Sequence, residues 1–214
     1  MIEVGIDMSL SSPALYAWNS TGNTYHILCF QQRKTDSEII NELVGRNTYL
    51  TRKSYPLEEE HRWAKVVYIV GEIMKWLDII RGKEPVRAFI ENYAFGMGGG
   101  AFGQSSSVSK LCELGGCLRY ELWQRKWEFT ELAITSVKKR FASDGRAEKH
   151  EMCATFKALG FPDLSPVLQC EYHQHPLEDV VDACAILTTG HNSYLPSPIA
   201  MSSDSGRKTR LDKR

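Results

Sequence analysis

The first 30 residues contain three short strand-forming runs, and their close spacing constrains the fold more than any other feature of the chain. The runs cover residues 2–8, 14–18 and 25–30, with turn-forming residues between them. Short connections between runs rich in β-branched and aromatic residues favour antiparallel pairing of successive strands. The chain is therefore predicted to begin with an antiparallel meander.

Helical and strand-like segments alternate after this meander. Apolar residues at 3.6-residue spacing predict a helix from Glu60 to about Ile80, which Gly82 ends. Further helices are predicted over residues 106–125, 135–141, 147–159 and 176–190, and strands over Val86–Glu91 and Trp127–Leu132. The order βββαβαβα predicts an α/β fold, a mixed five-stranded sheet with an antiparallel meander and parallel strands, flanked by helices.

The predicted elements form a single domain over residues 1–195, since 214 residues suffice for one well-filled core. Residues 31–59 are polar and irregular, and we expect a loop or an insertion there, with a short helix around residues 37–44. Residues 196–214 are rich in Ser, Pro and charge, which predicts a disordered basic tail.

Composition is that of a globular protein, with 43% hydrophobic and 24% charged residues. No apolar run is long enough to span a bilayer, and the N-terminal residues lack the features of a signal peptide, so we expect a cytoplasmic protein without membrane partners. The 26 Lys and Arg residues equal the 26 Asp and Glu residues in number. This balance argues against nonspecific coating of nucleic acid but leaves local DNA contacts open.

Four carboxylates lie at strand ends or on one helical face. Asp7 and Glu91 each end an apolar run, and Asp179 and Asp182 lie three residues apart in the last predicted helix. At about 100° per residue these two project about 60° apart, away from the main apolar stripe. Mg²⁺ prefers carboxylate ligands, and two such ions held close together assist phosphodiester hydrolysis. We therefore expect two Mg²⁺ ions at these acids, for which Mn²⁺ can substitute. The set predicts a metal-dependent nuclease, although Asp179, in the first helical turn, could instead serve the helix dipole.

Four motifs in the correct order resemble the RuvC-type Holliday junction resolvases, which have a ribonuclease H-like fold. They are Gly5-Ile6-Asp7-x-Ser9-Leu10, Ile90-Glu91, the pair Ser136-Val137-Lys138-Lys139 and Gly145-Arg146-Ala147-Glu148-Lys149, and Glu178-Asp179-Val180-Val181-Asp182-Ala183-Cys184-Ala185. The resemblance covers about residues 2–190. It implies that Asp7, Glu91, Asp179 and Asp182 are the catalytic metal ligands. It also implies that Lys138 and Lys149 bind phosphate near the scissile bond, with Lys149 in a catalytic role.

The resemblance further implies a homodimer that cuts two strands of a four-way DNA junction symmetrically, since each subunit presents the same surface. The glycine-rich stretch between Phe95 and Phe102 departs from the bacterial pattern, and viral members of the family accept a broader range of branched DNA. Junction specificity is therefore open.

Basic and aromatic residues predict the DNA-binding surface. Residues 136–157 hold six Lys or Arg against three acids, a local balance of 6 − 3 = +3. The candidates for DNA contact are Lys138, Lys139, Arg146, Lys149, Phe95 and Phe102. The two phenylalanines could wedge between bases or pack against protein. His175 and His191 flank the last helix and could orient a phosphate or polarise a water.

Three activities are consistent with these features. The leading hypothesis is a Mg²⁺-dependent endonuclease that resolves branched DNA as a dimer. A second keeps the fold but acts on RNA–DNA hybrids or flap DNA, and a third is a non-catalytic DNA-binding module. The presence of all four acids disfavours the third.

Overall fold

The computed structural model describes residues 1–9, 11–32, 38–45, 47–55, 62–92 and 106–191. The strands are β1 (Ile2–Asp7), β2 (Ala14–Asn19), β3 (Thr24–Gln32), β4 (Ile39–Gly45), β5 (Thr48–Tyr55), β6 (Val86–Glu91) and β7 (Glu128–Leu132). The helices are α1 (Arg62–Arg81), α2 (Ser106–Gln124), α3 (Ile134–Ala142), α4 (Lys149–Ala158), α5 (Ser165–Leu168) and α6 (Leu177–Gly190). The mixed α/β fold is as predicted.

The sheet has the strand order β4-β5-β3-β2-β1-β6-β7. The predicted meander is confirmed, because β2 pairs antiparallel with both β1 and β3. On the other side of β1, strands β6 and β7 add in parallel, as expected of strands joined by helices. Strand β6 lies between β1 and β7 and is largely buried, in agreement with its apolar sequence.

The prediction of five strands was wrong, because residues 31–59 contribute two more. In this stretch β3 extends to Gln32, β5 pairs parallel with β3, and β4 pairs antiparallel with β5. The helix expected around residues 37–44 is instead strand β4. Asn47, which connects the two strands, has a φ of 54°, a conformation typical of tight hairpin turns.

These strands escaped prediction for two physical reasons. Strand β4 lies at the sheet edge and is mostly exposed, so its sequence lacks an apolar alternation. Strand β5 carries Arg52, a buried charged residue that hides the strand pattern, and its partner β3 is distant in sequence. Between the helices predicted over residues 147–159 and 176–190, the structure adds the short helix α5, which was not predicted.

Helices cover both faces of the sheet, and β1 shows how one strand serves both. Its alternate residues Ile2, Val4 and Ile6 belong to the core formed with α1 and α2. Glu3, Gly5 and Asp7 point to the opposite face, where α6 lies against the strand. The period of two thus places an acid, a glycine and a second acid beneath one helix.

The helix predictions for α1, α2, α3, α4 and α6 agree with the structure to within a few residues. Phe95, Phe102 and the tail 196–214 lie outside the described residues. All six cysteines are free. Among the described helices, none combines the length and apolarity that crossing a bilayer requires.

Candidate active site

Asp7 and Glu91 lie at the carboxyl ends of two neighbouring parallel strands. In the register of β1 and β6, Ile6 pairs with Ile90, and each acid follows its isoleucine directly. Parallel strands end at the same edge of a sheet, so the two carboxylates come together although 84 residues separate them in the chain (91 − 7 = 84).

Helix α6 reaches these acids because two glycines let it lie directly on the sheet. A Cβ atom on Gly5 would lie well within 3.0 Å of backbone atoms of Ala183 and Leu187, and one on Gly190 would overlap the Phe89 ring. The small side chain of Ala183, on the side of α6 that meets Gly5, is fully buried. The helix therefore packs flat on β1 and β6, with its first turns at the strand ends that carry the acids.

Helix α6 is buried on nearly all sides, including the side that carries its two acids. Only Asp182, Thr188 and Gly190 among its residues are less than fully buried. Asp179 is 4% exposed. The two acids face the interior of the molecule at the end of the sheet rather than open solvent.

The four carboxylates interact strongly with one another. Burial, then the charges of Asp179, Asp182 and Glu91, raise the pKa of Asp7 well above its ordinary value, and its carboxyl group lies within hydrogen-bond range of Asp179. Burial and the charge of Asp182 raise the pKa of Glu91 to about 7. Burial and the charge of Asp179 raise the pKa of Asp182 to about 6. This mutual repulsion indicates a site that a bound cation would stabilise.

Asp179 is held by two residues that contact the same carboxylate oxygen. Ser12, in the β1–β2 connection, donates its hydroxyl to Oδ2 of Asp179 at 2.5 Å. His175 Nδ1 lies 2.6 Å from the same oxygen and 2.9 Å from Ser12 Oγ. Burial raises the pKa of Asp179, and these two hydrogen bonds oppose the rise. Asp179 lies in the first turn of α6, where an acid also interacts favourably with the helix dipole, so the two roles are compatible.

Two lysines approach the carboxylates from α3 and α4. Lys138 Nζ donates to the Ala147 carbonyl oxygen at 2.8 Å, and its charge lowers the pKa values of Glu91 and Asp182. Lys149 Nζ lies 2.5 Å from Oε1 of Glu178, and its charge also lowers the pKa of Asp182. The chain thus brings both predicted phosphate-binding lysines to the acids.

The donor chemistry fits hard divalent cations, which prefer carboxylate oxygens. Four carboxylates from three rigid elements meet here with unfavourable mutual charge. Donor atoms of His175, Glu178 and Asp179 also lie within 4.8 Å of one another, a spacing compatible with one ion. This second set shares only Asp179 with the predicted ligands.

Sequence reasoning did not single out Ser12 or Glu178. Ser12 lies in a turn where serine is ordinary, and only the fold brings it to α6, 167 residues away. Glu178 reads as an acid in a helical first turn, a common position. Of the two histidines suggested, His175 lies at the acids, whereas His191 contacts Glu3 at the opposite end of α6.

The remaining predicted basic residues lie on the protein surface. Lys139 and Arg146 are exposed, on α3 and in the α3–α4 connection. Lys149 is 60% exposed at its side chain, while Lys138 is partly buried. The exposed Lys149 thus leaves a cationic group available at the edge of the acidic site.

Comparison with solved structures finds the same architecture in RuvC and in a Holliday junction resolvase. Thermus thermophilus RuvC superposes with a TM-score of 0.50 at 17% identity, over 88% of this chain and 92% of RuvC. T. thermophilus RuvC in complex with Holliday junction substrate gives 0.52 at 18% identity, over 94% and 96% of the two chains. The yeast mitochondrial Holliday junction resolvase Ydc2 gives 0.50 at 11% identity, over 87% and 76%.

No protein-family model and no curated protein sequence matches the chain. Identities this low reflect a shared fold. Across most of its length, the chain therefore has the ribonuclease H-like fold of RuvC and of other Holliday junction resolvases.

Proposed function

We propose that this protein is a metal-dependent endonuclease that hydrolyses phosphodiester bonds in branched DNA, with four-way junctions as its main substrate. The observation that carries the proposal is the meeting of four carboxylates, from β1, β6 and α6, beside two lysines. The shared fold with junction resolvases, one of them solved with Holliday junction substrate, supports the choice of DNA class.

Asp7, Glu91, Asp179 and Asp182 would hold two Mg²⁺ ions, with Mn²⁺ as a substitute. When bound, such ions supply Lewis acidity and make a water nucleophilic at neutral pH. The protein itself fixes the carboxylates on two strand ends and one buried helix, so little reorganisation accompanies binding. Ser12 and His175 orient Asp179 by holding one of its oxygens.

Lys138 and Lys149 would hold the scissile phosphate, because both ammonium groups lie in the electrostatic field of the acids. Exposed Lys139 and Arg146 would contact the DNA backbone further out. Backbone contacts of this kind release counterions, so binding weakens with rising salt. We assign Phe95 and Phe102 a role in opening the junction by insertion between bases.

The cleavage assay is the direct test. With Mg²⁺, the wild type should cut a labelled four-way junction, and Asp7→Asn or Asp182→Asn should abolish cutting while leaving junction binding intact. Glu128→Gln, at the opposite end of the sheet and 75% exposed at its side chain, is the matched control and should cut normally. Normal cleavage by either Asn variant would refute the ligand assignment.

A substrate panel separates the alternatives. Junction, flap, duplex and RNA–DNA hybrid substrates are compared at equal concentration, in Mg²⁺ and in Mn²⁺. Preference for hybrid or flap DNA would replace junction resolution by the second hypothesis. Absence of cleavage on every substrate, together with no calorimetric metal binding, would favour a non-catalytic module.

The proposed enzyme acts as a homodimer, and a groove between α1 and α2 is the surface we assign to the second copy. The groove has a volume of about 550 Å³ and is lined mainly by apolar side chains of both helices. Gly71 and Gly116 lie within these helices, and a Cβ on either would meet no atom within 4 Å. Glycine in a helix interior lowers helix stability by about 1 kcal/mol relative to alanine. Close packing of a second copy against α1 and α2 would explain why glycine occurs at both positions.

The charges at the groove favour a second copy as the occupant. Lys75 and Arg125 line it together with Asp78 and Glu121. Within one chain Arg125 already pairs with Glu121 and Asp78. A two-fold axis can extend these ion pairs into a network across the two copies, which makes the surface self-complementary.

Gly116→Leu tests this surface because Gly116 is exposed and a Cβ there would meet no atom of its own chain within 4 Å. We expect analytical ultracentrifugation to give a dimer mass for the wild type and a monomer mass for the variant. Ala154→Leu, exposed on α4 on the other side of the sheet, should remain dimeric. A dimeric Gly116→Leu protein would exclude the groove.

A further inference from the structure

Glu178 is a buried carboxylate that the proposed metal-ligand set leaves without a role. Its side chain is only 6% exposed, although glutamate is almost never fully buried without a partner. Burying a charge costs several kcal/mol unless charged or hydrogen-bonded groups compensate for it. The partners of Glu178 therefore indicate what it does.

One carboxylate oxygen of Glu178 meets two cationic or protonatable groups. Oε1 lies 2.5 Å from Lys149 Nζ and 3.0 Å from His175 Nε2. His175 in turn contacts Asp179 through its other ring nitrogen. Glu178 thus connects a predicted phosphate-binding lysine to the residues around a predicted metal ligand.

Helix α4, to which Lys149 belongs, does not hold the Lys149 ammonium group in place. Lys149 is the first residue of α4, where the helix dipole disfavours a cation. Its side chain is 60% exposed and has a long flexible stem. Although partial burial opposes it, the hydrogen bond and the charge of Glu178 raise the pKa of Lys149. The tip of the side chain is therefore held from α6 and not from α4.

Lys138 provides an internal contrast. Its ammonium group donates to the backbone carbonyl oxygen of Ala147 at 2.8 Å, so the main chain itself fixes it. Lys149 depends instead on a single carboxylate side chain of α6. The two lysines flank the same acids but are held by different means.

We propose that Glu178 is a positioning residue that holds the Lys149 ammonium group at the edge of the four carboxylates, where the scissile phosphate would lie. The proposal rests on the proposed nuclease function. In the absence of the Glu178 charge, Lys149 samples solvent, and the ordered phosphate contact is lost. DNA affinity changes little, since exposed Lys139 and Arg146 do not depend on Glu178.

Glu178→Gln keeps the size of the side chain and removes its charge. We expect single-turnover cleavage of a four-way junction to slow about tenfold, because the Lys149 ammonium group no longer lies at the scissile phosphate. The Kd for the junction should change less than about twofold. Glu171→Gln is the matched control: it removes an exposed carboxylate whose described partner is His173, at 3.2 Å, and should leave both quantities unchanged.

A double-mutant cycle separates an effect through Lys149 from one through His175 or folding. If Glu178 acts through Lys149, then Glu178→Gln causes no further loss in a Lys149→Met background. Independent, multiplying losses would overturn the proposal. Glu178→Asp, which retains the charge but shortens the side chain, should recover part of the rate.

A measurement without catalysis distinguishes this proposal from the nuclease assignment. Side-chain ammonium NMR should show a hydrogen-bonded, slowly exchanging Lys149 signal in the wild type and its loss in Glu178→Gln, with Lys138 unaffected. If the wild type cuts no branched DNA, the proposed function fails, yet this signal still tests the contact. A Lys149 signal that is the same in both proteins would refute the positioning role, and if Glu178→Gln does not fold, Glu178→Asp is compared instead.

Discussion

The two ends of helix α6 lie on the same two strands but are stabilised in opposite ways. At the first turn, Asp179 and Asp182 face Asp7 and Glu91, and burial together with like charge raises their pKa values. At the last turn, Gly190 lies against the Phe89 ring, and His191 Nδ1 contacts the buried carboxylate of Glu3. One end brings like charges together, while the other pairs complementary groups and packs tightly.

This difference indicates how the molecule can carry an unfavourable cluster of charge. The tight packing along α6, from Gly5 to Gly190, holds the helix against the sheet. The repulsion at the first turn is then maintained rather than relieved by movement of the helix. The packed part of α6 therefore stabilises the folded protein, and charge repulsion at the acidic end of the helix destabilises it.

The largest expected effect comes from breaking the packed part. Gly5→Ala places a methyl group within 3.0 Å of the Ala183 and Leu187 backbone, and Gly190→Ala places one 2.1 Å from the nearest atom of the Phe89 ring. Because neither backbone nor a buried ring can yield easily, we expect each change to lower the free energy of unfolding by about 3 kcal/mol or more. Urea denaturation monitored by circular dichroism measures this loss.

Gly71→Ala is the control for these substitutions. This glycine lies within α1, and a Cβ there meets no atom within 4 Å. Because Gly71 also lines the proposed dimer groove, the comparison is made at a protein concentration that keeps the chain monomeric. The same chemical change should then stabilise the monomer slightly, by about 0.5 to 1 kcal/mol, through helix propensity. Equal losses at all three glycines would show that close packing of α6 is not what matters.

Much of this arrangement is visible in the sequence. The apolar runs in Ile2–Asp7 and Val86–Glu91 identify two strands that end in acids, and helical spacing identifies α6. The close packing of α6 on the sheet is harder to predict from the sequence. The contact between Gly190 and Phe89, for example, joins a helix to a strand about a hundred residues earlier in the chain. The same holds for Ser12 and for β5, whose partners are distant along the chain. Local patterns predict elements, whereas contacts between distant segments depend on the whole fold.

A smaller effect, opposite in sign, is expected at the acidic end. Burial and the charge of Asp179 raise the folded-state pKa of Asp182 to about 6, from an ordinary value of 3.8. A raised pKa means that the stability contributed by the protonated form is present below the unfolded-state pKa and lost as pH rises through about 6. Without metal, Asp182→Asn should therefore equal the wild type near pH 4 and exceed it by about 2 kcal/mol near pH 7.5.

The quantity to measure is the difference between variant and wild type across pH, from urea midpoints in EDTA. Burial lowers the pKa of His26 to about 4, which makes both proteins less stable in acid. This contribution cancels in the difference. A difference that is constant from pH 4 to pH 7.5 would show that Asp182 has no raised pKa.

Added Mg²⁺ should reverse the order of the two proteins at pH 7.5. An ion that binds only the folded state stabilises it by about 2.7 kcal/mol at one hundred times its Kd. The wild type gains this stability, whereas Asp182→Asn lacks one of the four carboxylates and gains less. Thermal unfolding at increasing Mg²⁺ concentration gives the comparison, and an equal gain in both proteins would place the ion elsewhere.

The smallest effect is expected at the far end of α6. His191→Gln removes the contact with Glu3 and the edge-on packing of the imidazole against Trp18, with ring centroids 5.0 Å apart. Arg87 Nη1 remains 3.4 Å from Glu3 and continues to compensate its charge, so we expect the free energy of unfolding to fall by only about 1 kcal/mol.

The control is His173→Gln, which replaces an exposed histidine paired with Glu171 and should change stability by less. Since His191 lies at the opposite end of the helix from the four acids, Mg²⁺ affinity should not change. Weaker Mg²⁺ binding in His191→Gln would mean that the two ends of α6 act as one unit, and the division between a packed end and an acidic end would have to be abandoned.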